Sequence, residues 1–268
     1  MNLAERVEPF YFGKPDRLLF GCYHEPAFDG RFRCAVVICQ PVGHEYINCH
    51  RALRQLATRL CDAGFPVLRF DYYGCGDSAG QSEEGSIAQW REDTMTAVSV
   101  ARQRTGAPQI CLLGLRLGGA LAMMAAAEQG DLESIVLWDP VLNGRRYLEG
   151  LRCLQKEALR FRRKPNYGWK FARTIEAFGF IWPPSLCADL EGIDLQANAR
   201  KLAKNVLVVQ TDGQANEELS DQLQPTDACV EFQRPEAPPI WLPTADGGLL
   251  VPGRLLQGLV SWISRTQT

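Results

Sequence analysis

The sequence predicts an α/β architecture: a doubly wound, mostly parallel sheet with a helical insertion late in the chain. Three observations predict it. Short apolar runs alternate with longer stretches of helical periodicity. Runs such as Cys34–Cys39 are apolar at every position, as a strand covered by helices on both faces must be. Gly64-Phe65-Pro66 and Gly106-Ala107-Pro108 punctuate the chain where helices should turn into strands.

In chain order, the apolar runs place strands at Leu18–Tyr23, Cys34–Cys39, Val67–Phe70, Ile110–Leu113, Ser134–Trp138, Val206–Gln210 and Cys229–Gln233. The helical patterns between and after them fall at Cys49–Asp62, Ser86–Arg104, Leu117–Glu128 and Gly253–Ser264. The stretch Leu142–Lys204 breaks the rhythm. It holds no good strand and reads as helices, with Leu148, Leu151, Leu154, Ala158 and Phe161 in an apolar stripe at spacings of three and four. The expected organisation is therefore a core of residues 1–141 and 205–268 with a helical lid at 142–204. A ligand site belongs at the carboxyl ends of the parallel strands.

A chain of 268 residues with 46% hydrophobic content can bury one sizeable core. A net charge of −2 argues neither for nor against nucleic acid. Met1–Pro15 has no basic start followed by an apolar run, so no secretory signal is expected, and no apolar stretch reaches the ~18 residues of a membrane span. The ten cysteines are scattered without a C-x-x-C pair, which points to reduced thiols in a cytoplasmic protein and away from a zinc or dithiol site. No cofactor or metal is expected.

The most informative stretch is Ile110–Ala122, in which Leu113-Gly114-Leu115-Arg116-Leu117-Gly118-Gly119 reads as strand, sharp turn and helix. Small residues at 114, 118 and 119 let helix and strand cross closely. The layout is that of a nucleophile elbow, G-x-S-x-G, with arginine in place of serine. On these residues the chain resembles the α/β-hydrolase superfamily, near its serine aminopeptidase-like branch. The loop Phe70–Gly80 is similar to the family's loop at that place, Pro41-Val42-Gly43-His44-Glu45 lies where the family keeps its oxyanion-hole loop, and Leu137–Val141 follows the next strand. The set called exosortase A system-associated hydrolases, type 2, is the narrower likeness, with related hydrolase-like proteins of biosynthetic clusters carrying G-L-R-L-G. The resemblance covers most of residues 16–141, and 205–268 more weakly, and implies the α/β-hydrolase fold.

The family mechanism requires a hydroxyl or thiol, a histidine base and an orienting acid. Arg116 has no nucleophilic atom and stays protonated, its pKa above about 12. The family places its histidine in the region that here reads Pro239–Asp246, but the histidines are His24, His44 and His50. For the acid, Asp212 falls slightly early, Gln214 fits the offset, and Asp139 is the alternative. An ordinary serine hydrolase is therefore not expected.

Two roles stay open for Arg116. Its fork, with the backbone N–H groups that start at Leu117, can hold a carboxylate or phosphate or developing negative charge. Alternatively it pairs with Asp139, Asp71 or Glu45 and plugs the old site. His44 is either a general acid or base facing the pocket or a loop histidine bonded to backbone. Val42, Gly43 and Glu45 accompany it. His44 and His50, six apart and about 120° around a helix, do not make an H-E-x-x-H zinc site. Gly74-x-Gly76-x-x-Ala79 opens no helix and is not a dinucleotide fingerprint. Cys75 and Ser78 read as turn residues.

The insertion carries the second signal. Ten Lys and Arg fall between Arg145 and Arg173 against Glu149 and Glu157, a net of +8 in a chain whose total is −2. Arg152, Lys156, Arg160 and Arg163 are candidate anion-binding residues, and the partner is an acyl-carrier domain or another acidic protein, a phosphate-bearing thioester, or an anionic membrane face; a solvated face is the alternative, and nucleic acid has no support from the fold. Three functions follow: an atypical member acting on an anionic or acyl ligand in a biosynthetic pathway, by proton transfer or elimination; a non-catalytic pseudo-hydrolase that binds a ligand or carrier; and an ester or thioester hydrolase with a non-standard nucleophile or activated water.

Overall fold

The computed structural model describes residues 7–26, 33–130, 132–160, 174–195, 202–211, 219, 227–244 and 247–267, with the backbone alone at 158–160. The described strands are β1 (Val7–Lys14), β2 (Arg17–His24), β3 (Cys34–Cys39), β4 (Val67–Phe70), β5 (Gln109–Leu115), β6 (Ser134–Trp138), β7 (Ile175–Ala177), β8 (Phe180–Trp182), β9 (Asn205–Val209) and β10 (Cys229–Gln233). The principal helices are α1 (His44–Asp62), α2 (Ile87–Thr105), α3 (Leu117–Gln129), α4 (Gly144–Arg160), α5 (Pro184–Glu191) and α6 (Gly253–Thr266).

Eight strands form one sheet in the order β1-β2-β4-β3-β5-β6-β9-β10. β2 pairs antiparallel with β1 and β4, and every pair from β4 to β10 is parallel. All six residues of β3 are buried, because α2 and α3 pack on one face of the sheet and α1 and α6 on the other. The register sets Cys39 opposite Gly114, Leu115 opposite Trp138 and Trp138 opposite Val209. The carboxyl ends of β3, β5, β6 and β9 thus finish side by side, and the loops that leave them can meet.

Local chemistry fixes the helices that matter. Ser86 caps α2 by accepting from Gln89 N at 3.2 Å, and Gly106 ends it in the left-handed region. The start of α3 is pressed against β3: a Cβ on Gly118 would lie 2.2 Å from the Cys39 carbonyl oxygen, so only glycine fits there. The insertion is stitched at its base by Gly144 N to Ile193 O and Leu195 N to Leu142 O, both 2.9 Å.

The fold class is the one expected, with three differences. β1 pairs along the sheet edge although most of its residues are exposed, so it presents no apolar run to read. α1 begins at His44, not Cys49, because Gly43, at φ 69°, turns the chain into a helix whose first turn is polar. The insertion is not wholly helical: β7 and β8 form a hairpin whose turn is Phe178-Gly179, and three-residue strands are too short to show a period. α4 and α5 are helical as expected; residues 161–173 and 196–201, which include Arg163, lie outside the described residues. All ten cysteines are unbridged. Among the described residues no helix is long and apolar enough to cross a membrane.

Candidate functional site

Arg116 occupies the elbow. It sits between β5 and α3 at φ 55°, ψ −123°, a conformation sparsely populated by side-chain-bearing residues. Four backbone bonds hold it there: Arg116 N donates to Trp138 O at 3.1 Å, and its carbonyl accepts from Gly119 N at 3.0 Å, Val141 N at 3.1 Å and Ala120 N at 3.3 Å. The turn therefore throws the side chain of residue 116 over the carboxyl ends of the strands.

That side chain is met by partners from four segments of the chain. Arg116 Nε donates to Glu45 Oε1 at 3.1 Å, and Nη1 to the backbone oxygen of Asp139 at 3.4 Å. Tyr147 of α4 donates its hydroxyl to Glu45 Oε2 at 3.1 Å. The guanidinium carbon lies 4.7 Å from the Trp241 ring centroid and 5.8 Å from that of Tyr147, within cation–π range. Burial alone would pull the Arg116 pKa down; the charge of Glu45, helped by Tyr147 and Asp139, outweighs it, and the group is held above its ordinary value as a cation. Burial pushes the Tyr147 phenol well up, so it remains a neutral donor. Both oxygens of Glu45, a residue only 2% exposed, are thus engaged.

The other expected residues divide into two groups. Asp139, at φ 42°, gives Arg116 its carbonyl and turns its carboxylate to Thr211, accepting from the backbone N at 2.8 Å and from Oγ1 at 2.6 Å. A side-chain pair between Arg116 and Asp139 is not what forms. Asp71 is likewise committed elsewhere: it accepts from Gln40 Nε2, Tyr46 Oη and Asp77 N at 3.0–3.1 Å and shapes the 71–80 loop, its pKa raised by burial. Of the acids named for pairing, Glu45 is the partner. Asp212 and Gln214 lie outside the described residues.

His44 is not a loop histidine bonded to backbone. It is in the first turn of α1, 4% exposed, and neither ring nitrogen has a hydrogen-bond partner among the described residues. Its ring lies 5.2 Å from that of Phe178 at the hairpin turn. Burial, with Glu45 opposing and Arg116 assisting, lowers its pKa and keeps it neutral. His24 accepts from Arg69 Nε at 3.1 Å, and burial beside that cation holds its pKa at about 3, so it is no base for the site. Ser78 is a turn residue, donating to Asp71 O at 2.6 Å and accepting from Phe20 N at 2.8 Å. Burial pushes the Cys75 thiol up to about 12, away from nucleophilic thiolate.

Beside the elbow lies a cavity of about 310 Å³. Gln40 to Gly43 form one wall, Asp71 to Gly76 another, and Gly179 to Trp182 of the hairpin roof it, with Tyr46, Phe70 and Trp90 adding aromatic surface. Val42 and Gly43 line it; Arg116, His44, Glu45 and Leu117 do not. Leu117, fully buried, opens α3 beneath the elbow. Trp182 packs its indole edge so close to Gly43 that a Cβ there would come within 2.9 Å of it. On the outside of the insertion, Arg152 and Lys156 are exposed and border a second, more polar cleft of about 510 Å³, with Arg152 3.6 Å from Glu191. The side chain of Arg160 and all of Arg163 lie outside the described residues.

Sequence reasoning missed Tyr147, Trp241 and the aromatic roof. Trp241 was legible in part, because it falls in the segment where the family resemblance puts its histidine. Tyr147 precedes the first residue of the apolar stripe and carried no signal of its own.

Comparison with known proteins agrees with this fold. The family described as serine aminopeptidase, S33, matches residues 33–210. The human mitochondrial palmitoyl-protein thioesterase ABHD10 is 43% identical over 87 residues, which are 32% of this chain and 26% of that protein. Human ABHD12B is 36% identical over 101 residues, 35% of this chain and 27% of that one. The match thus spans about a quarter of these relatives' length. Among solved structures, Est1E from Butyrivibrio proteoclasticus superposes with a TM-score of 0.64 at 16% identity over 96% of this chain and 98% of its own, and mouse α/β hydrolase domain-containing protein 10 with 0.61 at 16% over 96% and 99%. At that identity the likeness speaks for the fold, whereas the family match takes in the elbow, β3 to β6 and the described part of the insertion. The chain belongs to the serine aminopeptidase S33 family of the α/β hydrolases, with an ion-paired arginine at its elbow.

Proposed function

We propose that this chain is a hydrolase-fold binding protein that forms no acyl-enzyme, and that an acyl-type ligand occupies the cavity roofed by the β7–β8 hairpin. One observation carries the reading: the position of the attacking oxygen is filled by a guanidinium that is bonded to Glu45 and covered by Trp241. A base is lacking too, since no histidine follows residue 50. The apolar walls of the cavity suit an acyl chain or a ring, and the thioesterase among the relatives supports an acyl group as the class of ligand. The likeness to hydrolase-like proteins of biosynthetic clusters supports a place in a biosynthetic pathway. An acyl group presented by an acidic carrier would meet Arg152 and Lys156 on the outer face of α4.

The test is covalent. Incubation with a fluorophosphonate and, separately, with a palmitoyl thioester should leave the intact mass unchanged and give no turnover above heat-denatured protein. A stoichiometric adduct on any side chain would overturn the reading. A second reading, anion capture by Arg116, is favoured by its Nη2, which has no partner among the described residues. It requires octanoate to bind at least about tenfold more tightly than octanamide, the order of a charge-assisted hydrogen bond.

A further inference from the structure

Beside the cavity, His44 combines burial with two unspent polar atoms. It is 4% exposed, and both of its ring nitrogens are sealed and without a partner among the described residues. A buried polar group in that state is costly, and a ligand that takes the bond relieves the cost. The cover over it is slight. Phe178, whose ring lies 5.2 Å away, is itself 43% exposed and sits at φ 50° in the hairpin turn, an unfavourable conformation for an aromatic residue. The strands it joins are three residues each and pair only with each other. The same hairpin roofs the cavity through Gly179, Phe180, Ile181 and Trp182, and the cavity wall ends at Gly43, the residue before His44. Lifting the hairpin would therefore open the cavity and uncover His44 together.

We propose that His44 is the polar contact of the cavity ligand, reached when the hairpin lifts Phe178 from the imidazole, and that the ligand is a neutral acyl derivative, an ester, thioester or amide whose carbonyl accepts from the imidazole N–H. This rests on the cavity reading above and adds to it the recognising residue and the ligand's polar group. A neutral ligand fits because the nearby carboxylate, Glu45, is already bonded to Arg116 and Tyr147, and because the lowered pKa keeps the imidazole uncharged. One nitrogen of a neutral imidazole donates, which matches a carbonyl oxygen. An alkyl chain alone would leave the bond unmade.

The experiment uses the full chain and has two arms. N-phenyloctanamide and decylbenzene, titrated calorimetrically, report binding with and without a carbonyl. The amide should bind wild type, lose about tenfold in affinity to His44→Phe and recover in His44→Gln, whose side chain still donates, while decylbenzene should bind all three alike. Diethyl pyrocarbonate, read by peptide mass, reports uncovering. His50, exposed, should react fast, His24, locked to Arg69, very slowly, and His44 at a rate between them that saturating amide reduces at least fivefold. Failure of both compounds to bind sinks the cavity reading itself. Binding of the amide that is indifferent to His44→Phe sinks only the contact, and His44 reacting no faster than His24 sinks the lifting roof even if a His44 variant fails to fold.

Discussion

The elbow compartment and the cavity share a wall, the Gln40–Gly43 segment, yet they treat polar groups in opposite ways. At the elbow each carboxylate oxygen of Glu45 has a donor, the guanidinium has two acceptors, and Trp241 covers its face. In the cavity wall, among the described residues, the Trp182 indole N–H has no partner, and Gln40, whose amide nitrogen donates to Phe70 O at 2.7 Å and to Asp71, leaves its own oxygen buried and unpaired. The difference teaches where binding capacity lies. A compartment whose carboxylate and cation are bonded to each other offers a ligand little without disturbing a buried ion pair. A hollow lined by aromatic rings with polar atoms unspent gains by being filled.

The largest expected effect breaks the elbow. Glu45→Gln keeps the shape and removes the charge, leaving the Arg116 cation without a counter-ion; stability should fall by about 3 kcal/mol or more in urea unfolding. Arg116→Met alone should cost as much by stranding the carboxylate. The double variant Glu45→Gln/Arg116→Met should recover most of the loss, since exchanging a buried ion pair for neutral groups is often harmless. Losses that simply add would show that the two side chains do not act as a pair, and the plugged elbow would have to be abandoned. A smaller effect is expected one bond further out. Tyr147→Phe removes one donor from Glu45 and should cost about 1–2 kcal/mol, with the Arg116 bond intact.

The contrast between the two compartments also explains what the sequence made legible. The elbow could be read because its signal is local: Gly114, Arg116 and Gly118 stand at fixed spacing, Gly118 forced by the approach of α3 to β3 and Gly114 by the approach of the same helix to β5. The alternation of strands and helices was legible for the same reason, each element carrying its own period. The choice of partner for Arg116 was not, because Glu45, Asp71 and Asp139 all arrive at the carboxyl ends of strands, and only the backbone of Asp139 and the loop around Asp71 decide where those carboxylates turn. The cavity was least legible of all. Its roof depends on Phe180 and Trp182 in a hairpin of three-residue strands, and on Gly43 allowing the indole to approach, so the site exists only once segments more than a hundred residues apart have packed.

The smallest expected effect sharpens the cavity side. Trp182 is 2% exposed, and its N–H is buried without an acceptor among the described residues. Trp182→Phe keeps an aromatic roof and deletes that donor. Two terms then oppose each other: the smaller ring loses packing worth about 1 kcal/mol, and removal of the unpaired donor returns about the same. The net change in unfolding free energy should lie within about 0.5 kcal/mol of zero. Tyr147→Phe, which also removes a single donor, should be clearly worse, because its donor is in use. A loss at Trp182 equal to the loss at Tyr147 would mean that the indole N–H is bonded after all, and the division between an ion-paired elbow and a cavity with unspent polar atoms would not hold.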